Sequence, residues 1–415
     1  MKKLLIVTGA GASFDFGLPS VKKIDELFQE WALENHRLVE DNNESLYSFI
    51  RSEFKNYVSQ NKNNYVDSLL NFENLLFTMQ SLQSLLDDKQ LKHFNNRLNP
   101  FISNITLPEI AKNKIFNSTN LHNLTNLHSN LVDKLLEYIR DACKKIPTTK
   151  KNNIDKLKGF FQSLKTEFEI GVINLNYDNV ILSVLPDLIT GFNKDTLAFD
   201  REILYSESWN FLYHVHGSVH FDMKPDPKKE EMHKIYWNHD LSSTFSQNSF
   251  GRNLSFTSEG IAHLNSAIIV GLDKTNQLLR EPFGPYFMQI DRKVYESDAV
   301  LFIGYGFNDR HLNNCFPFIR HDNKIRKVVV IDYANENQGG LQYRRDSWQY
   351  GLFRTIPFNG FEMGAPGIIE PREVSFFKGN KILEKSSNTK LPLAVWYDGL
   401  MDACDYPEVI IKELR

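Results

Sequence analysis

Short apolar runs and longer amphipathic stretches alternate along this chain. Residues 4–8 form an apolar run without polar alternation, which is typical of a strand buried on both faces. Similar runs, each ending in a polar or glycine-rich cluster, occur at residues 171–175, 212–215, 267–270, 300–303 and 328–331. Helical spacing separates several of them, as at residues 289–296. The pattern predicts an α/β fold with a Rossmann-like parallel sheet and helices on both faces.

Between the first two predicted strands, the apolar residues change to helical spacing. Four stripes, at residues 24–31, 46–58, 69–86 and 131–139, each predict an amphipathic helix. An asparagine-rich stretch at residues 117–130 is expected to be an exposed loop, and residues 144–153, with Pro147, a linker. Residues 21–165 are therefore predicted to form a large helical insertion.

The remaining segments define the predicted domains. A chain of 415 residues suits one core domain with a substantial insertion. We expect residues 1–20 and 166–340 to form the core domain around the insertion. The segment 341–415 is rich in aromatic residues, and the pattern leaves two alternatives open: it completes the core, or it forms an assembly surface.

Composition narrows the class of protein. With 24% charged residues and a formal net charge of −3, the chain has no overall field that would attract nucleic acid, which is expected as an indirect partner at most. No apolar run approaches the roughly 18 to 20 residues that span a bilayer, so no membrane partner is expected. Three cysteines are too few for a four-cysteine zinc site. They form no CxxC pair and lie far apart in sequence, which favours a reducing cytoplasm.

The first cluster of candidate site residues follows the first strand. It comprises Thr8, Gly9, Ala10, Gly11, Ala12 and Ser13. Small residues let the backbone approach a pyrophosphate with its N–H groups directed at the charge. Phe14 stands where the complete dinucleotide motif has a third glycine, so a turn that serves only packing remains the alternative.

The second cluster ends the strand at residues 171–175. It comprises Asn174, Leu175, Asn176, Tyr177 and Asp178. Asparagine and aspartate side chains can hold ribose hydroxyls or a carboxamide through paired hydrogen bonds. A turn capped by the same side chains is the alternative.

The third cluster contains histidines at a strand end, His214 and His216, followed by Gly217 and His220. An imidazole at this position can act as a general base. A metal site, or purely structural histidines, are the alternatives, because an HxH pair on a strand places both rings on one face. Asp222 and Asp240 are candidate further ligands, but no second ligand cluster follows another strand.

The fourth cluster is a second glycine-rich turn. It comprises Gly304, Tyr305, Gly306, Phe307, Asn308 and Asp309, and a further acid, Asp332, ends the last predicted strand. A tight turn without a ligand is again the alternative. The carboxyl ends of parallel strands share one edge of a sheet, where ligands bind, so the clusters are expected to meet there.

Together the four clusters resemble the motifs of the sirtuin superfamily. Residues 9–13 with Gly17, Leu18 and Pro19 are similar to its GAG-x-S…G-I-P opening. Residues 174–178 are similar to T-Q-N-I-D, residues 215–217 to L-H-G, and residues 304–309 to the G-Y-S/G-F-x-D variant of the later glycine motif. Order and spacing agree across residues 1–20 and 168–335.

The resemblance implies NAD as the substrate and assigns roles to individual residues. Asn176 would hold the nicotinamide ribose and position the attacking group, and His216 would act as the base. Residues 9–13 would cradle the pyrophosphate, Asp178 would support the ribose or carboxamide pocket, and Asp332 would bind the adenine ribose. The implied cofactor-binding set comprises Gly9, Ala10, Gly11, Ala12, Ser13, Gly17, Asp178, Gly217, Gly304, Tyr305, Gly306, Asp309 and Asp332.

Departures from the protein deacylases of this family refine the expectation. Ser20, Val21 and Lys22 replace their Asp-Phe-Arg, and the helical insertion replaces their zinc module, so no zinc is expected. These features resemble bacterial antiphage proteins of Thoeris systems and, most closely, those paired with a HerA-type ATPase. The implied activity is NAD glycohydrolysis that depletes NAD in abortive infection, in a homo-oligomer with a possible HerA-type partner.

Three alternative functions remain at this stage. A deacylase is disfavoured by the missing cysteines. An assembly subunit of an ATPase complex would bind NAD or ADP-ribose without turnover, and a cyclic ADP-ribose-type nucleotide would use the same phosphate loops. A nuclease lacks a carboxylate set with clear two-metal spacing.

Overall fold

The fold is taken from a computed structural model of the chain. It describes residues 1–38, 43–60, 70–86, 105–108, 120–206, 208–226, 229–243, 254–256, 262–264, 266–270, 278, 280–316, 319, 324–333, 347–356, 373–377, 381–385 and 392–415.

The strands follow in chain order as β1 (Lys2–Thr8), β2 (Phe168–Asn174), β3 (Phe211–His214), β4 (Phe221–Asp226), β5 (Lys229–Trp237), β6 (Leu254–Phe256), β7 (Ala262–Leu264), β8 (Ala299–Ile303), β9 (Lys327–Ile331), β10 (Glu373–Phe377), β11 (Lys381–Lys385) and β12 (Leu393–Trp396). The helices are α1 (Val21–Asn35), α2 (Leu46–Gln60), α3 (Phe72–Leu86), α4 (Asn120–Thr149), α5 (Lys151–Lys165), α6 (Val180–Val184), α7 (Arg201–Leu204), α8 (Phe283–Glu296), α9 (Arg310–Asn313), α10 (Ser347–Thr355), α11 (Gly399–Ala403) and α12 (Pro407–Leu414). A 3₁₀ helix spans Ala10–Phe16.

The central sheet has the order β10-β11-β12-β9-β8-β1-β2-β3. The strands from β12 to β3 pair in parallel, whereas β10 and β11 are antiparallel. The core of β1, from Leu4 to Val7, is fully buried, as expected for a strand covered on both faces. Helix α5 contacts β2, α12 contacts β8 and β9, and α8 contacts β1 and β3. The predicted Rossmann-like α/β fold is therefore confirmed.

The direction of chain travel through this sheet reverses at β1. The chain passes from β1 through α5 to β2, whereas β3 leads through α8 to β8 on the other side of β1. Right-handed crossovers in opposite directions place α5 and α8 on opposite faces. The boundary between β1 and β8 is therefore a topological switch point, the position at which ligands of such sheets bind.

The chain divides into two compact units. The first contains residues 1–18, 142–220 and 281–415, and the second contains residues 19–141 and 221–280. Two segments fall in a different unit from the one expected from sequence. Residues 142–165, expected in the helical insertion, join the first unit, where α5 packs on β2. Residues 221–280, expected in the core domain, join the second unit. The C-terminal strand β12 extends the central sheet by pairing with β9.

The second unit contains α1, α2, α3, the α4 residues up to 141 and the hairpins β4–β5 and β6–β7. Phe28 packs edge-on against Tyr47 and Phe72, which joins the first three helices. The buried carboxylate of Asp25 accepts hydrogen bonds from the Tyr47 hydroxyl (2.7 Å) and from Arg51 Nε (3.0 Å). The predicted amphipathic stripes therefore form a real helical core in this unit.

Three sequence-based predictions about local structure were wrong. The first is the strand at residues 267–270: Ile268, Ile269 and Val270 are buried in the second unit but belong to none of the described strands. A short apolar run reports burial, and its periodicity does not distinguish a strand from an irregular buried segment.

The second is the loop at residues 117–130, of which residues 117–119 lie outside the described part. Helix α4 begins at Asn120, and Leu124, Leu127 and Leu131 are buried at helical spacing, so these leucines outweigh the loop preference of the asparagines. The third is the linker at 144–153. Pro147 lies in the last turn of α4, where it removes one backbone hydrogen bond without ending the helix before Thr149, and α5 begins at Lys151.

Within the described ranges, no helix combines the length and hydropathy needed to cross a bilayer.

Candidate active site

The loops after β1 and β8 are in direct backbone contact at the switch point. Gly9 N donates to Ile303 O and Gly11 N donates to Gly304 O, both at 3.0 Å. A Cβ atom on Gly9 would lie 2.7 Å from Gly304 O, and one on Gly11 would lie 2.7 Å from Gly304 Cα. The glycines of the first cluster thus permit two loops to pack closely, in addition to any ligand that they bind.

This packing changes the expected phosphate cradle. The amides of Gly9, Gly11 and Ala12 already donate to backbone carbonyls, Ala12 N to Gly9 O at 2.9 Å. Ala10 and Gly11 are exposed, whereas Ala12 and Ser13 are buried. The surface that this loop offers a pyrophosphate is therefore the exposed turn at residues 10–11.

Asn176 connects the second cluster to the first. Its Nδ2 atom donates to Gly9 O and to Ser13 Oγ, both at 2.8 Å. Both N–H bonds of the amide are used in this way, so the carbonyl oxygen Oδ1 is the atom that can accept a hydrogen bond from a ribose hydroxyl or a water molecule. The side chain is half-buried at the carboxyl edge of the sheet.

Asp178 lies behind this contact. Ser13 Oγ donates to its Oδ2 at 2.6 Å, and the backbone N–H of Val180 donates to its Oδ1 at 2.9 Å. Burial raises the pKa of Asp178, and the two hydrogen bonds partly oppose this shift. The buried carboxyl of Asp178 is thus connected to Asn176 through Ser13.

Thr8 and Asn174, which belong to the first and second clusters but had no predicted role, complete this network. Thr8 Oγ1 donates to Asn174 Oδ1 at 2.7 Å, and Asn176 N donates to the same oxygen at 3.1 Å. Both Thr8 and Asn174 are buried, and they are the last residues of β1 and β2.

The third and fourth clusters meet through His216 and Asp309. His216 Nε2 lies 2.8 Å from Asp309 Oδ2, and both side chains are more than nine-tenths buried. The other carboxylate oxygen, Oδ1, accepts from Leu312 N at 2.9 Å and caps α9. Gly217 follows with a φ of 103°, a conformation that favours glycine and permits the tight turn after His216.

The two residues of the HxH pattern have different environments. His214 is completely buried at the end of β3, where Asn174 Nδ2 lies 3.5 Å from its Nδ1. Burial, together with His220, lowers the pKa of His214 to about 3, so its imidazole is neutral. Among the residues that the structure describes, no group of three or more His, Cys, Asp or Glu side chains is arranged to hold a metal ion.

The buried neutral His214 predicts a loss of stability on acidification. In the unfolded chain this histidine takes up a proton near pH 6.5, whereas in the folded protein it does so only near pH 3. Its contribution is therefore lost as the pH falls below 6.5, and amounts to about 2 kcal/mol between pH 7 and pH 5.

Urea unfolding at pH 7 and pH 5 measures this loss in the wild-type protein and in His214→Gln, which does not titrate. We expect the variant to lack about 2 kcal/mol of the wild-type pH dependence. An identical pH dependence in both proteins would contradict the assignment of a buried neutral imidazole.

The loop after β8, residues 304–309 (the β8 loop), is stabilised by contacts of its own side chains and by α10. Tyr305 is buried, its hydroxyl donates to Asn313 Oδ1 at 2.5 Å, and its carbonyl accepts from Trp348 Nε1 at 3.2 Å. A Cβ on Gly351 would lie 2.8 Å from Phe307 Cβ. Tyr305 thus supports the loop from within, whereas the adjacent Gly306 is exposed. Sequence reasoning missed the part played by α10.

The two remaining predicted positions lie at the periphery of this arrangement. Gly17 ends the 3₁₀ helix in a left-handed conformation (φ 82°). Asp332 follows β9 at the same edge of the sheet and is half-buried. Its N–H donates to Trp396 O at 2.9 Å, and its carbonyl accepts from Gly399 N at 3.0 Å. The structure thus places Asp332 on the side of β1 opposite to Asn176.

A known protein family matches the part of the chain that carries most of these site residues. Residues 171–351 match the family model described as a SIR2-like domain. The match supports a sirtuin-like domain and is consistent with an NAD-related activity. It includes the second, third and fourth clusters. A search of curated proteins gave no match.

Proposed function

We propose that this chain is an NAD glycohydrolase that cleaves NAD to nicotinamide and ADP-ribose. The observation that carries the proposal is the hydrogen-bonded assembly of four loops at the switch point of the sheet. Asn176 joins the β2 loop to the β1 loop, and the β1 and β8 loops pack backbone to backbone. His216, from the β3 loop, is bonded to Asp309 of the β8 loop. The SIR2-like match over residues 171–351 supports NAD as the ligand of these loops.

The proposed reaction needs little acid catalysis, because nicotinamide leaves NAD as a neutral molecule from a cationic ring. The bond between the ribose C1′ and the nicotinamide nitrogen breaks, and its electron pair goes to the ring nitrogen. Water forms the new bond to C1′ and loses one proton. Asn176 Oδ1 accepts a hydrogen bond from the water or a ribose hydroxyl, and His216 takes the proton as general base.

The charges of the site suit this reaction. The positive charge that develops on the ribose is favoured by the carbonyl dipole of Asn176. The buried Ser13–Asp178 pair orients the amide group of Asn176 from behind. The exposed turn at residues 10–11 is the proposed contact for the pyrophosphate.

The biological role proposed with this activity is depletion of NAD in antiphage defence. It rests on the motif resemblance to bacterial defence proteins with sirtuin-like domains, as do a homo-oligomeric state and a HerA-type ATPase partner. A cytoplasmic site of action is proposed from the cysteine pattern. Constitutive NAD depletion would stop growth, so we propose that assembly or the partner controls turnover.

Incubation of the purified protein with NAD tests the activity, with nicotinamide and ADP-ribose quantified by chromatography. We expect equimolar release of both products without any acylated peptide. The reaction is repeated with a HerA-type ATPase to test for dependence on a partner. Release that requires an acyl-lysine peptide would instead identify a deacylase. Binding of NAD or ADP-ribose without release under any condition would favour an assembly subunit.

A further inference from the structure

The Asp309 carboxylate lies between two elements of the site. It belongs to the β8 loop, yet one oxygen contacts the imidazole of the β3 loop and the other caps α9. Sequence reasoning placed Asp309 among the cofactor-binding residues. Both of its carboxylate oxygens are engaged by the protein, Oδ2 by His216 at 2.8 Å and Oδ1 by Leu312 N at 2.9 Å.

We propose that Asp309 is a positioning residue for His216 rather than a contact for NAD. This inference rests on the proposed function of His216 as the base. A carboxylate accepts the proton of Nε2–H, so the contact selects the neutral tautomer whose lone pair is on Nδ1. The same carboxylate stabilises the imidazolium that forms when His216 takes a proton from water.

The surroundings keep the carboxylate in place. Its Oδ1 atom accepts the backbone N–H of Leu312 at 2.9 Å, so α9 fixes the orientation of the carboxylate plane. The preceding turn is held from the other side by Trp348, which donates to Tyr305 O. The imidazole is thus oriented by a loop that is itself braced at both ends, as a precise catalytic base requires.

The substitution Asp309→Asn tests the proposal, because asparagine caps a helix about as well as aspartate but does not supply the charge. We expect kcat for NAD cleavage to fall by at least about 10-fold and by up to about 10⁴-fold, the loss when asparagine replaces a carboxylate that sets the tautomer of a catalytic histidine, with KM changed much less. Asp200→Asn is the matched control. Asp200 caps α7, also a four-residue helix of the first unit, through Glu202 N (2.8 Å) and Ile203 N (3.4 Å).

A double-mutant cycle separates positioning from substrate binding. If Asp309 acts through His216, Asp309→Ala lowers kcat in the wild-type protein but has no further effect in His216→Ala. If Asp309 contacts NAD directly, it lowers kcat/KM by a similar factor in both backgrounds, and calorimetry shows weaker NAD binding. The second result would overturn the proposal.

The tautomer of His216 gives a readout that does not depend on turnover. We expect the ¹⁵N spectrum of the imidazoles to show a proton on Nε2 of His216, assigned by its absence in His216→Ala, and a changed tautomer in Asp309→Ala. An unchanged tautomer would overturn the proposal. If the wild-type protein cleaves no NAD, the proposed hydrolase function fails, while this spectrum still decides whether Asp309 orients His216.

Discussion

Alanine at position 216 is expected to lower NAD cleavage by more than about 100-fold in kcat, the contribution usual for one general base. The imidazole belongs to the β3 loop and contacts Asp309 of the β8 loop at 2.8 Å. Its loss also removes one hydrogen-bond partner of the buried Asp309 carboxylate. Nicotinamide release, measured at saturating NAD, is the direct assay.

Asn176→Ala is expected to have a loss of the same order, through two effects. It removes the carbonyl that orients the water, and it removes the donor to Ser13 Oγ and one of the two donors to Gly9 O. The double variant should be little slower than either single one, because residues that act as one unit are not additive. His239→Ala, a histidine exposed in the second unit, is the control. If His216→Ala and Asn176→Ala both cleave NAD at the wild-type rate, the site assignment is wrong.

Thermal unfolding separates these effects from general damage. We expect His216→Ala to remain folded at the temperature of the assay although its kcat falls. Turnover needs the base, whereas the buried core of the sheet stabilises the fold. A variant that loses activity only in proportion to the fraction unfolded would contradict a catalytic role.

The convergence of the clusters was predictable from sequence because it depends only on topology. Parallel strands share one carboxyl edge, so a polar cluster after each apolar run implies proximity without any knowledge of side chains. Thr8, Asn174 and His214 illustrate this rule, since their backbones end neighbouring strands in register. The same reasoning predicted the α/β fold.

Which side chains contact each other at this edge of the sheet was not predictable in this way. Asp309 and His216 are separated by 93 residues, and nothing in either motif indicates that the two side chains turn toward one another. Likewise Tyr305 belongs to the implied cofactor-binding set, but its side chain is buried. Its ring stacks on Phe302, and its hydroxyl donates to Asn313. Side-chain direction depends on the packing of distant elements, including α10, whose sequence carries no motif.

Burial without periodicity caused a different kind of error. Residues 267–270 are as apolar as a core strand, yet they are buried in the second unit outside the described strands. In α4, asparagines suggested a loop, but Leu124, Leu127 and Leu131 at helical spacing decided the structure. Hydrophobic spacing therefore predicted secondary structure better than local composition did at this place.

Gly304→Ala is expected to lower the free energy of unfolding by about 2 to 5 kcal/mol, from backbone strain and overpacking together. Gly304 has a φ of 56°, and a Cβ there would lie 2.2 Å from Ala12 N and 2.3 Å from Gly11 C. Both atoms are backbone, so the clash is relieved only by separating the β1 and β8 loops. Denaturant unfolding with the NAD assay measures both consequences.

Gly306→Ala is the matched control from the same motif. A Cβ on Gly306 would meet only Asn308 Nδ2, the end of a flexible side chain, at 3.3 Å, so stability should change by less than about 1 kcal/mol. The pair separates two reasons for glycine in one loop. If Gly304→Ala is as stable as Gly306→Ala, the close approach of the loops is not what requires glycine. If Gly306→Ala keeps its stability but raises KM for NAD, the exposed glycine serves the substrate while the buried approach serves the fold.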